Sequence, residues 1–117
     1  MDLQSDLVDH EWRLVTIAGE AVSAEADRVP YLVFGADGRV SGSSGVNRVF
    51  GGYELDGNEL RLPALASTLM AGPPEAMALE HRFLVALGTG GPVRIVGDRL
   101  DVGEVGLVRS TGSATVD

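Results

Sequence analysis

Apolar and polar side chains alternate along most of this chain, and a period of two marks a half-buried β-strand. Trp12, Leu14 and Thr16 share one face of a first strand, with Arg13, Val15 and Ile17 on the other, and Gly19 ends it. Residues 23–29 read as a loop closed by Pro30. Tyr31–Phe34 and Arg39–Gly42 are strands around the turn Gly35–Gly38, where glycine admits positive φ. Ser43–Arg48 is polar and contains glycine, so it reads as an ordered loop. Val49–Leu55 and Glu59–Leu62 flank Asp56-Gly57-Asn58, a strong hairpin signal. In these two strands Tyr53 and Leu55 share a face, as do Leu60 and Leu62. Val93–Val96, Arg99–Val102 and Val105–Arg109 are three further short strands with Gly-Asp and Gly-Glu turns between them.

The period changes once. In Pro74–Leu87 the residues Ala76, Leu79, Phe83, Ala86 and Leu87 fall on one helical stripe. Pro74 suits the first helical turn, Glu75 complements the positive helix end, and Gly88 stands where a C-terminal cap is expected. The fold class that follows is mainly β (α+β). It is a curled antiparallel meander or half-barrel of about seven to eight strands, with one helix over 74–87 packed on it. Residues 10–109 make one domain without internal repeat or linker, and 1–9 and 110–117 are expected to be flexible termini.

Composition narrows the chemistry. The chain has 117 residues, enough for a single core without metal or disulfide. Aromatic residues make up only 5%, so Val, Leu, Ile and Ala must fill most of that core. The formal charge of −8 repels phosphate backbones, and the arginines are scattered, so nucleic-acid binding is not expected. The absence of cysteine excludes a thiol nucleophile, a thiolate metal site and a disulfide. The absence of lysine excludes Schiff-base chemistry and a lysine-bearing phosphate loop. No apolar stretch approaches a membrane span, and residues 1–11 are acidic, unlike a signal peptide. The expected location is cytoplasmic, or envelope-associated if a leader has been removed.

The central block orders several motifs. Val40-Ser41-Gly42-Ser43-Ser44-Gly45-Val46-Asn47-Arg48 is followed by Phe50-Gly51-Gly52-Tyr53 and Gly57-Asn58-Glu59-Leu60. Leu65-Ala66-Ser67-Thr68-Leu69-Met70-Ala71-Gly72 comes next, then the helix carrying Glu80. The opening Trp12-Arg13-Leu14-Val15 and the closing Gly97-Asp98-Arg99-Leu100-Asp101-Val102 complete the series. This series, over residues 10–109, resembles the META domain family and its HslJ-like heat-shock members. The resemblance implies a half-barrel with one helix, similar to lipid-binding secretin pilots. It also implies an association with heat shock and novobiocin tolerance in bacteria, and with virulence in some parasites. Val46 and Gly72 stand where relatives often carry cysteine, and Leu69 where arginine is usual.

Weighed as chemistry, the residues favour a module without catalysis. His10 and His81 are far apart in sequence, and His81 lies off the apolar stripe. Gly42-Ser43-Ser44-Gly45 lacks the hydrolase-elbow spacing and reads as a turn. Gly88–Gly91 follows a helix instead of opening one, so it is no phosphate loop. No cofactor and no spaced metal cluster is expected. Asn47, Arg48, Tyr53 and Glu80 are the candidates for a structural or ligand-binding loop. Asn47 can pin the loop, and Arg48 can pair with Glu80 or with an anionic ligand. Loss of one buried hydrogen-bond partner at Asn47 would cost roughly 1 kcal/mol. Trp12, Phe34, Phe50 and Phe83, with Tyr31, Tyr53 and Leu79, are the large groups available to line an apolar pocket or to fill a core. The expected partner is accordingly an unknown protein or a small hydrophobic ligand.

Overall fold

The computed structural model describes residues 3–24 and 28–110. A short helix α1 (Leu3–Leu7) precedes β1 (Glu11–Ile17), β2 (Glu20–Ala21), β3 (Tyr31–Phe34), β4 (Arg39–Ser43) and β5 (Arg48–Gly52). β6 (Glu54–Asp56), β7 (Glu59–Arg61) and β8 (Ala66–Ser67) lead to the long helix α2 (Pro74–Thr89). β9 (Gly91–Val96), β10 (Arg99–Val102) and β11 (Val105–Arg109) close the chain. Every strand pairing is antiparallel, in the order β6-β7-β9-β10-β11-β1-β3-β4-β5-β8, with β2 on β1.

The expected class holds, a curled antiparallel sheet with one main helix, but the sheet has 11 strands, more than the seven to eight read from the sequence. Two of the additions, β2 and β8, are two-residue strands too short to show a period. The third arises because the run 49–55 is divided at Tyr53. Residues 48–52 pair with β4, whereas 54–56 pair with β7. One stretch of chain therefore joins neighbourhoods near opposite ends of the strand order. That connection curls the sheet, and the Tyr53 N–H donates to the Gly38 carbonyl at the switch (2.9 Å).

A β-bulge changes the first strand. The register against β11 shifts between Leu14 and Thr16, so one extra residue lies in β1. Beyond it the inward phase inverts: Ile17 is buried and Thr16 only half-buried, the reverse of the simple alternation. The segment before residue 10, expected to be a flexible terminus, carries α1. Its Leu7 is fully buried, and the Leu7 carbonyl accepts the Trp12 indole N–H at 2.9 Å. An apolar anchor and a hydrogen bond to a buried indole explain its place in the fold. Residues 111–117 of the other expected flexible terminus, and 25–27 of the first loop, lie outside the described residues.

Helix α2 begins at Pro74 with Glu75 in its first turn, as expected, but runs on to Thr89. Gly88 is inside it, and the cap is Gly90 (φ 66°), whose N–H donates to Leu87 O at 3.0 Å. Phe83, Ala86 and Leu87 are buried on its inward stripe and belong to the same core as Trp12, Leu32, Phe34 and Leu107. Each large side chain among these, Phe83 and Leu87 included, contributes roughly 1.5–3 kcal/mol by leaving water.

Candidate functional site

The loop between β4 and β5 is built by its own sequence. Ser44 N–H donates to Asn47 O (2.9 Å), and Ser43 Oγ accepts from Gly45 N–H (2.9 Å). Gly45 has φ 95°, and a Cβ there would collide with the Arg28 carbonyl oxygen, so glycine is required. Val46 is half-buried, with both methyls 3.1 Å from where a Gly72 Cβ would stand. Val46 and Gly72 are thus neighbours, valine against glycine.

This turn presents Ser44 and Asn47 to the underside of α2, where Glu80 is buried. Ser44 Oγ donates to Glu80 Oε2 at 2.6 Å and accepts from Asn47 N–H at 3.0 Å. Asn47 Nδ2 donates both to the same Glu80 oxygen (2.7 Å) and to Met70 O (3.0 Å). Its Oδ1 accepts from Met70 N–H (2.6 Å) and from Thr68 Oγ1 (2.9 Å). Both amide donors and both acceptor positions of Asn47 are therefore in use. Towards Met70 the amide acts like one more residue of β5, bonding that residue's N–H and C=O together. One side chain thus ties three things: its own turn, the helix through Glu80, and the segment after β8.

The structure separates the remaining candidates. Arg48 is exposed and does not pair with Glu80; Glu80 is held instead by Ser44 and Asn47. The reason is parity: Arg48 lies in β5 with its side chain on the outer face, opposite Ser43 and in line with Phe50. Tyr53 is buried away from this cluster, its hydroxyl donating to Gly35 O (2.6 Å) and its ring edge-on to Phe34 with centroids 5.2 Å apart. Phe50 is 44% exposed and does not join Trp12, Phe34 and Phe83, all of which are fully buried. Those three fill the interior and do not line an open apolar pocket. Leu79 is half-buried against the core, whereas Tyr31 is half-buried on the other face of β3 from Leu32 and Phe34. The sequence favours a turn role for Ser44 over a nucleophilic one, and neither predicts its carboxylate partner. Its bond to Glu80 spans 36 positions, and no local pattern announces such a pairing.

A hydroxyl against a carboxylate is the start of a nucleophile–base pair, and Ser44 also borders a cavity of about 580 Å³ with Arg28, Ala76 and Leu79. Ser44 is 1% exposed, its oxygen already accepts the Asn47 N–H, and His81 is exposed on the helix. His10 sits elsewhere, edge-on to Trp12 and 3.4 Å from an Arg109 nitrogen. Among the described residues no group of three or more His, Cys, Asp or Glu is placed to hold a metal ion. No described helix is long and apolar enough to cross a membrane.

A curled antiparallel sheet, tied to a single long helix by a buried Ser–Asn–Glu cluster, defines a small α+β module built around one core. The META domain model matches residues 5–110, and the chain belongs to the META domain family. Two solved structures, both determined by NMR, are similar to it. One is 26% identical with a TM-score of 0.70, covering 93% of this chain and 94% of that one. The other, from Burkholderia xenovorans, is 27% identical with a TM-score of 0.70, covering 92% and 86%. No curated protein matches the chain.

Proposed function

We propose that this chain is a non-enzymatic META-domain module that acts through protein contacts. One observation carries the reading: buried polar groups bond one another while large apolar groups stand at the surface. Ser44, Asn47 and Glu80 are closed into one network, and Leu69 is 95% and Met70 62% exposed beside it. Exposed apolar groups in one stretch are a feature of interaction surfaces. The rival reading, a hydrophobic small molecule or lipid inside the half-barrel, has the filled interior against it. Stress or antibiotic tolerance is the physiological setting we propose, on the family resemblance alone.

A photo-crosslinking residue at Leu69, in cells under heat or novobiocin stress, tests this. The expected result is a discrete protein adduct that is absent when the crosslinker stands at exposed Arg94 instead. Covalent labelling of Ser44 by a fluorophosphonate, or a solvent-extractable lipid seen by native mass spectrometry, would overturn it.

A further inference from the structure

β8 is the last strand in the sheet order, so among the described residues one of its edges has no strand beside it. Which backbone groups face that edge follows from the register. Val49 pairs with Ser67 and Phe50 with Ala66, and Thr68 N–H donates to Arg48 O at 3.1 Å. In an antiparallel ladder bonded and non-bonded pairs alternate. Ala66 and Thr68 therefore point their N–H and C=O groups at β5, and Ser67 points its own outward. Met70 continues the inward series through Asn47, which leaves Leu69 outward as well.

The outward edge borders a groove of about 290 Å³ between β8 and helix α2, lined by Leu62, Leu65, Ser67, Leu84 and Gly88 among others. From Leu62 through Pro74 no side chain carries a charge, in a chain that is 22% charged. Sheet edges are ordinarily defended by charge or by covering. The other end of this sheet is defended so: β6 carries Glu54 and Asp56, with Arg61 of β7 at 3.7 and 3.9 Å from them. The β8 edge has no such guard.

We propose that the groove between β8 and α2 binds an extended segment of a partner protein, added as a strand to the outward groups of Ser67 and Leu69. This rests on, and deepens, the protein-contact reading. Main-chain hydrogen bonds to the edge would hold the segment, and its alternate apolar side chains would enter the groove against Leu84 and Gly88. Charge chooses the occupant. The chain carries −8, so a second copy is repelled, and an uncharged apolar segment flanked by Lys or Arg is the complement.

Gly88 supplies a test that does not confuse binding with folding. A Cβ at Gly88 meets nothing within 4 Å, so a larger side chain fits the protein but occupies the groove. Ser67→Pro removes an outward N–H without breaking a bond to β5. Random linear peptides displayed for selection on the immobilised full chain are the probe, followed by amide-shift mapping with a selected peptide. The expected peptides alternate apolar residues between basic flanks, and the shifts centre on 65–69 and 84–88. Gly88→Leu and Ser67→Pro should each weaken the peptide about tenfold or more, with no fall in the unfolding midpoint for Gly88→Leu, which replaces a helical glycine. Failure to select a peptide, shifts centred elsewhere, or undiminished binding by both variants would overturn the groove. A Leu69 crosslinked adduct obtained alongside such a failure would leave the protein-contact reading standing and remove only this site.

Discussion

The two flanks of the segment 66–70 differ sharply. On the inner flank Thr68 and Met70 are bonded through backbone and through the Asn47 amide. On the outer flank Ser67 borders the groove beside α2, and Leu69 is 95% exposed. The inner side holds the segment in place, and that fixed position is what makes the outer side a usable edge. A strand held along one flank is a template for pairing on the other, whereas a loose loop would lose more entropy on binding.

The largest effects should come from breaking the inner flank. Asn47→Asp removes both amide donors and sets a second carboxylate where Nδ2 lies 2.7 Å from Glu80 Oε2. Its expected cost is about 3–5 kcal/mol, because a buried charge loses its partner and gains a like neighbour. Asn47→Ala should cost about 2–3 kcal/mol, more than the single-partner estimate of roughly 1 kcal/mol, because the buried Glu80 and the Met70 backbone both lose bonds. Urea unfolding measures both, and the order Asp worse than Ala is the informative part.

Changes on the outer flank should be mild or favourable to folding. Gly88→Ala lies within a helix and in open space, so a gain of about 0.5–1 kcal/mol is expected in the same unfolding experiment. Leu69→Ser, at an almost fully exposed position, should shift stability by less than about 0.5 kcal/mol. A large loss at Leu69 would mean that the outer flank is packed, and the contrast would fail.

Much of this was legible in the sequence, for reasons that also explain what was missed. Asp56-Gly57-Asn58 announced its hairpin because the turn needs residues that tolerate left-handed φ, and Gly57 has φ 64°. Asn47 and Glu80 stood out as buried-polar candidates and do meet. Their common partner Ser44 did not, because a contact across 36 residues is a property of the folded sheet. Arg48 was misplaced because its charge suggested a partner for Glu80, while its strand parity sends it outward. Phe50 is the same error. It is out of phase with Tyr53 in the alternation, and parity, not aromatic character, decides which of the two is buried. The bulge in β1 and the five-residue α1 lie below what periodicity resolves, since a single extra residue or turn leaves no repeat to count.

Amide hydrogen exchange, followed residue by residue across 67–70, tests the contrast most directly. Slow exchange at Thr68 and Met70 with fast exchange at Ser67 and Leu69 is the expected alternation. Equal protection of all four amides would show that the outer edge is already occupied, and equally fast exchange would show that Asn47 does not hold the segment.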